Sequence, residues 1–326
     1  MPSKVLVVTD ALLPPARGNG TTVARWIEGL TRRGHEVEVV EPGRDPRRGR
    51  PDVVLGYHAD RCGPFAVELA ERFATSAVIA LGGTDLLALE ESPDTPGRRA
   101  LERAHGVTAA FATARDRLES RLRSMPQFSI VRRGVFVDPD VALDRVRDPF
   151  TVALPSGLRP VKDPLLALQM LRTLRDVGLR AKLIIVGSDL DSRHAEQVRD
   201  AARRIADVHI GARPPVAMGA VYARSLVVWN TSRHEGGANA VLEAAALGCA
   251  VLLRDSPGNR ELAMEAGSTV TLFDPIDRDG IVAWHRTITE EDDAARNARH
   301  ERTIAWLRAC HDPSDEIDDL ERALCP

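Results

Sequence analysis

Two glutamates, Glu235 and Glu243, stand with seven residues between them in the segment Ser232–Gly248, SRHEGGANAVLEAAALG. Eight helical residues rise about 12 Å. On that scale two carboxylates can each hold a different diol of one extended ligand, and a sugar nucleotide carries one diol on its sugar and another on its ribose. Gly236 and Gly237 let the backbone approach such a ligand closely. A helix beginning at Ala238 and Asn239 presents unsatisfied N–H groups to a phosphate. The plainer alternative is that Glu235 caps the helix and Glu243 lies on its solvated face.

Cations with matching chemistry stand upstream. Lysine occurs only at Lys4, Lys162 and Lys182 in a chain otherwise rich in arginine. Lys4 and Lys182 begin strand-like runs; Lys162 lies in Gly157-Leu-Arg159-Pro-Val-Lys162-Asp-Pro. Arg159 offers a planar fork and Lys162 a compact charge, a pair suited to a diphosphate. The alternative is two surface charges beside a helix start. His58 follows the strand-like run Asp52–Gly56, where it could orient a hydroxyl or face developing positive charge, or simply close a strand. Thr84 and Asp85 follow another strand and could line an acceptor, although Asp85 could equally cap the next helix. Gly18, Asn19 and Gly20 precede a helix and could cradle a phosphate or form an ordinary turn. Gly187 ends the run Leu183-Ile-Ile-Val. The D-x-D pairs Asp138/Asp140 and Asp189/Asp191 fall in loops, where aspartate serves local hydrogen bonding. No His/Cys grouping has zinc spacing, so no metal and no cofactor is expected.

The elements that must position these groups alternate. Val5–Thr9 reads as a strand buried on both faces. A helix over Thr21–Arg33 follows, stopped by Gly34, then a strand at Glu36–Val40. Further strands are predicted at Asp52–Gly56, Ala77–Leu81 and Gly106–Thr113, with helices at Phe65–Phe73, Thr95–Ala104 and Arg115–Arg123. After the polar, proline-containing break Val146–Phe150 the alternation restarts. The fold class is therefore α/β, two doubly wound Rossmann-like domains. The expected division is 1–148, 149–300, and a helical tail 301–326 that returns to the first domain through Trp306 and Leu307. Ligands of such sheets sit at the carboxyl ends of strands, so facing domains would enclose a cleft.

Composition removes other classes. The 326 residues carry 44 basic and 47 acidic side chains, a net charge of −3, with 44% hydrophobic residues. That is a globular balance, without the basic surface a general nucleic-acid binder needs. Cys62, Cys249, Cys310 and Cys325 are scattered, as in a reduced, cytoplasmic protein. No run is long and apolar enough to span a membrane, and no leader precedes the first strand.

Taken together the motifs resemble the retaining glycosyltransferases of family 4, whose E-x7-E signature the Glu235–Glu243 segment matches. Gly157–Pro164 resembles that family's donor-diphosphate motif, and Leu183–Gly187 its second donor-domain strand. Asp255-Ser-Pro-Gly258-Asn-Arg-Glu261 resembles its Gly-x-x-Glu turn. Pro15-Ala-Arg-Gly18-Asn-Gly20 and Gly34-His-Glu-Val37 resemble its N-terminal glycine loop and strand entry. Details such as LRPVKDP and DSPGN are similar to selenosugar synthases and small one-domain glycosyltransferase-like proteins. Arg133-Gly-Val-Phe136 departs from the family's usual Asn-Gly-Val-Asp, which leaves the acceptor open.

The resemblance implies the GT-B fold and metal-independent, retaining transfer of a sugar from a nucleoside-diphosphate sugar. A UDP-sugar is favoured, with a small soluble acceptor, selenophosphate or a thiol type among the options. Arg159 and Lys162 would face the leaving diphosphate, Glu235 the sugar, Glu243 the ribose and His58 the reacting sugar, with Gly187 beside the donor. A UDP-sugar epimerase or hydrolase of GT-B fold, or an inactive nucleotide-sugar-binding partner, are the alternatives. Oligomeric state is not legible.

Overall fold

The structure is a computed structural model describing residues 2–12, 18–92, 94–136 and 148–325, apart from the side chain of Pro149. The motif residues Pro15–Arg17 and the pair Asp138/Asp140 lie outside the described residues. By contact the chain divides into two units. The first is Met1–Gly134 with His311–Pro326, and the second is Val135–Cys310.

In unit 1 the elements run β1 (Lys4–Val8), α1 (Gly18–Arg32), β2 (Glu36–Val40), β3 (Val53–Tyr57), α2 (Gly63–Phe73), β4 (Ser76–Ala80), α3 (Thr84–Glu91), α4 (Pro96–Arg103), β5 (Gly106–Ala109), α5 (Thr113–Glu119) and β6 (Gln127–Ile130). The strands form a parallel sheet in the order β2-β1-β3-β4-β5-β6. Alternation explains why both faces are covered. Leu6, Val8, Val54 and Ile79 point into one core, while Val5, Val7, Leu55 and Val78 point into another. Strands apolar at every position require helices on both sides.

Unit 2 runs β7 (Asp148–Pro155), α6 (Pro164–Asp176), β8 (Lys182–Val186), α7 (Ser192–Ala202), β9 (Val208–Gly211), α8 (Met218–Arg224), β10 (Ser225–Asn230), α9 (Asn239–Ala246), β11 (Ala250–Arg254), α10 (Pro257–Ala266), β12 (Val270–Phe273), α11 (Arg278–Thr289) and α12 (Asp293–Cys310). Its sheet is also parallel, ordered β12-β11-β10-β7-β8-β9. Val152, Leu154, Leu183 and Ile185 bury against α6 residues such as Leu171 and Leu174.

The last helix, α13 (Pro313–Leu324), belongs to unit 1. Ile317, Leu320 and Leu324 enter the core that holds Val23, Trp26 and Leu30. Beside them the fully buried Glu316 carboxylate accepts from Arg25, from Trp26 Nε1 at 2.8 Å and from the Gly134 N–H at 3.0 Å.

The contact division differs from the sequence expectation at both borders. Of the predicted break, residues 148–150 already belong to β7, whose eight residues form part of the second sheet; residues 146 and 147 lie outside the described residues. Trp306 and Leu307 do not carry the return. They are buried within α12, where Trp306 Nε1 donates to Glu265 at 3.3 Å inside unit 2. The return is made by α13, because its Ile317/Leu320/Leu324 stripe is the apolar face that unit 1 lacks. Strand β6, helix α3 and strand β12 were not anticipated. Each is eight residues or fewer, too short for a clear period.

Candidate functional site

A doubly wound sheet binds ligands outside the carboxyl ends of its strands, where the strand order reverses. In unit 2 that point lies between β7 and β10, and in unit 1 between β1 and β3. The residues singled out in the sequence gather at these two points.

In unit 2 the loop after β7 carries Arg159 and Lys162, and the loop after β10 carries Glu235. Lys162 Nζ donates to Glu235 Oε1 at 2.7 Å, and Asn230 Nδ2 donates to the same oxygen at 3.0 Å. Asn230 Oδ1 in turn accepts the Ser232 N–H at 3.0 Å. Glu235 is only 8% exposed. Burial pushes its carboxyl up, but the Lys162 ammonium and hydrogen bonds from Lys162, Ser232 and Asn230 hold it below its ordinary value. The site therefore stores a carboxylate and an ammonium ready to meet polar ligand groups. Hydrogen bonds to main-chain carbonyls fuse the two loops: Arg233 N donates to Val161 O at 2.9 Å, and the Thr231 hydroxyl Oγ1 to Lys162 O at 2.8 Å.

Gly236, Gly237 and Ala238 form the approach to α9, which opens at Asn239 with no side-chain cap on its N-cap residue Ala238. The capping alternative for Glu235 is therefore not what this helix uses. Since α9 starts only at Asn239, Glu235 stands outside the helix, and the span to Glu243 is part loop rather than a continuous helical rise. Gly237 has φ +121°, a conformation open to glycine. Glu243, one turn into α9, accepts a hydrogen bond from the buried Tyr222 hydroxyl. Burial and this carboxylate push the phenol well above its ordinary range. Gly187 is set by close approach, since a Cβ there would stand 2.1 Å from Ser156 O. Its absence lets the end of β8 lie against the backbone of Ser156 and Gly157 just after β7.

In unit 1 His58 follows β3 with φ +87°, rare for a side-chain-bearing residue, and is 6% exposed. Backbone outliers of this kind persist where the surroundings over-determine them. His58 Nε2 lies 3.0 Å from Thr84 Oγ1 and 3.5 Å from Asp85 Oδ1. Among the described residues its buried Nδ1 has no hydrogen-bond partner. Burial lowers the imidazole pKa against the upward pull of Asp85, so the ring is neutral near pH 7 with one donor and one acceptor nitrogen. Asp85, fully buried, accepts from Ala59 N at 2.7 Å and Gly82 N at 3.0 Å, so it ties the loops after β3 and β4 together. A Cβ on Gly82 would stand 2.8 Å from Asn19 Nδ2, 3.2 Å from Asp85 Oδ1 and 3.5 Å from His58 Cδ2. Asn19, His58, Thr84 and Asp85 thus converge. Gly18, Asn19 and Gly20 are themselves the first turn of α1, which begins three residues earlier than the sequence pattern indicated.

Sequence reasoning missed Asn230, Asp163, Arg254 and Tyr222. Asn230 and Arg254 each end a strand of the parallel sheet, a position that is the only signal the sequence carried. Asp189 pairs with Arg199 at 2.7 Å, and Asp191 accepts the His194 N–H at 2.8 Å to cap α7. Among the described residues no group of His, Cys, Asp and Glu is arranged to hold a metal, and no helix is long and apolar enough to cross a membrane.

Residues 142–303 match the family model described as Glycosyl transferases group 1. Glycosyltransferase 1 domain-containing protein 1 of Xenopus tropicalis is 36% identical over 104 residues, 32% of this chain and 30% of that protein. The match therefore spans less than a third of that relative's length. The crystal structure of Anabaena HepE in complex with UDP-glucose superposes with a TM-score of 0.78 at 17% identity, covering 99% of both chains. An α,α-trehalose-phosphate synthase (UDP-forming) from Burkholderia vietnamiensis gives 0.76 at 14% identity, covering 99% of this chain and 96% of that one. These likenesses establish the fold as α/β with two Rossmann-like units, of the GT-B class.

Proposed function

We propose that the chain is a glycosyltransferase that moves a sugar, with retention of anomeric configuration, from a UDP-sugar to a small soluble acceptor. The observation that carries this reading is the Lys162–Glu235 pair, 2.7 Å apart at the strand-order reversal within the stretch that matches Glycosyl transferases group 1. The UDP preference is supported by two solved relatives of the same fold. One is in complex with UDP-glucose and the other is UDP-forming.

The donor's C1–O bond breaks with its electron pair moving onto the leaving diphosphate. Lys162 exchanges its contact with Glu235 for a phosphate oxygen, and Arg159 supplies the second cation. Cations fixed where charge develops stabilise the transition state more than the ground state. Glu235, freed of Lys162, accepts from sugar hydroxyls, and Glu243 accepts from the ribose. The N–H groups at the start of α9, approached through Gly236 and Gly237, and the backbone around Gly187 receive the nucleotide. On the same face of the sugar an acceptor atom bonds to C1, and its proton passes to the departing phosphate oxygen. No protein nucleophile, metal or cofactor enters this scheme. His58, neutral and held by Thr84 and Asp85, orients a hydroxyl of the reacting sugar. The first turn of α1 at Gly18–Gly20 serves a phosphate. Selenophosphate and thiols belong in the acceptor panel.

The test is a thermal-shift panel of UDP, GDP and ADP with their sugar conjugates, followed by NMR of the product's anomeric configuration. A ligand at 100 times its Kd stabilises by about 2.7 kcal/mol. A shift confined to uridine nucleotides and an anomerically retained product support the reading. Free sugar or epimerised donor points to the hydrolase or epimerase alternative. Tight UDP binding without turnover points to an inactive binding partner.

A further inference from the structure

Asp163, next to Lys162, is a side-chain-bearing residue in the left-handed region, with φ 46° and ψ 52°. It precedes α6, yet its carboxylate makes no capping bond to that helix. Instead Asp163 Oδ2 accepts from Arg233 Nε at 3.0 Å and from Arg254 Nη1 at 2.8 Å. Arg254 Nη1 also reaches Thr231 O at 3.4 Å. One carboxylate thus ties the loop after β7 to the loop after β10 and to the end of β11. Asp163 and Arg254 are mostly shielded, with side chains 14% and 21% exposed, so their charge-assisted bond is little weakened by solvent, whereas the bond from Arg233, 60% exposed, is screened. Aspartate and asparagine tolerate left-handed geometry better than other side chains, but only aspartate brings a negative charge to the two guanidinium groups there.

We propose that Asp163 is a positioning residue: clamped by Arg233 and Arg254, it fixes the Lys162 loop on the Glu235 loop and so sets the Lys162–Glu235 contact. The inference rests on the transfer reading for the use made of that contact, but not for the clamp itself. The consequence is specific. Without the clamp Lys162 drifts from Glu235, and Glu235 is left buried with less positive charge nearby.

The experiment compares Asp163→Asn, which keeps the backbone preference, and Asp163→Gly, which relieves it, with Arg254→Gln as an independent route into the clamp. The first readout is the titration of the Glu235 carboxyl carbon by NMR, assigned with Glu235→Gln. The second is kcat and KM for the nucleotide sugar. The clamp requires the Glu235 titration to move to higher pH in all three variants. Removing the Asp163 charge by simple electrostatics would move it to lower pH, so in the two Asp163 variants the sign separates the two causes; in Arg254→Gln both raise it, and that variant serves as the consistency check. A tenfold or larger fall in kcat, exceeding any change in KM, should accompany the shift. An unchanged or lowered titration in folded variants overturns the clamp, whatever reaction the protein performs. An upward shift in a protein that turns over no nucleotide sugar keeps the clamp and overturns the transfer reading. Should Asp163→Asn fail to fold, Asp163→Gly decides by the same titration, because it too removes the carboxylate and keeps the two signs opposed.

Discussion

Replacing Lys162 with Ala is the sharpest probe of the unit 2 constellation. The substitution strands Glu235, whose carboxylate is 8% exposed and keeps Asn230 as a remaining side-chain donor. Breaking a buried ion pair by removing one partner costs about 3–5 kcal/mol. Lys162 is itself 21% exposed and the Asn230 bond survives, so a cost of about 2–3 kcal/mol is expected. In a unit of this size each kcal/mol lowers the midpoint by about 2–4 °C. The unit 2 transition should thus fall by roughly 5–10 °C near neutral pH by differential scanning calorimetry. The pH dependence fixes the cause. In the wild type the Glu235 carboxyl is held below its ordinary value. It therefore adds stability above the unfolded pKa of about 4.3, lost as pH falls through the folded value. In the variant, burial without the cation raises the carboxyl, so ionised Glu235 costs stability above that raised value. The cost disappears once the group is protonated, and the gap between the two proteins closes on acidification. The double variant Lys162→Ala/Glu235→Gln should recover most of the loss, because no charge is left buried alone. Turnover should fall by about 10²–10³-fold, the scale of removing one transition-state electrostatic contact. A midpoint gap under about 1 °C, a gap that stays constant with pH, or a double variant no better than the single would refute the reasoning.

Three further outcomes are expected. Glu316→Ala leaves Trp26 Nε1 and the Gly134 N–H without their buried acceptor; it should cost about 3–5 kcal/mol and release the C-terminal helix to limited proteolysis. Gly187→Ala drives a Cβ to 2.1 Å from Ser156 O, whereas at Gly211 nothing lies within 4 Å; the first should lose about 1–3 kcal/mol and the second under about 0.5 by denaturant titration. Burial pushes the Cys62 thiol up to about 12, so a disulfide reagent at mildly alkaline pH should label the exposed Cys325 first and reach Cys62 only on unfolding.

Much of the candidate constellation in unit 2 was legible because ligands of parallel sheets meet the loops after the strands, and Arg159, Lys162 and Glu235 stand on such loops. What sequence could not show was their mutual contact. Lys162 and Glu235 are 73 positions apart, and only the adjacency of β7 and β10, strands that pair across an inserted βαβ stretch, brings them together. Asp163 was invisible for the same reason, since its partners Arg233 and Arg254 are 70 and 91 positions away; Asn230 has its partners within five residues, but only the turn after β10 folds it back onto Glu235. His58 was legible by its place after a strand, but its positive φ was not, and neither were the bonds by which Asp85 holds the neighbouring Ala59 amide and the Gly82 amide. The β-branched runs announced the strands, while β6 and β12, four residues each, fell below any usable period.

The buried Glu316 carries one more consequence, in the order in which the molecule can be made. Unit 1 is assembled from the first and the last parts of the chain, with all of unit 2 in between. At a synthesis rate of about 5–20 residues per second, roughly 10–35 s separate the appearance of Gly134 from that of the helix that completes its core. Through that interval Trp26 and Leu30 lack the apolar cover of Ile317 and Leu320, and the Arg25 and Trp26 donors lack their carboxylate. The equilibrium cost of so long a closure is small, because loop entropy grows only with the logarithm of length. The cost in time is not. Unit 2 is free to finish first, and the early part of the chain must wait on the ribosome with its core half built.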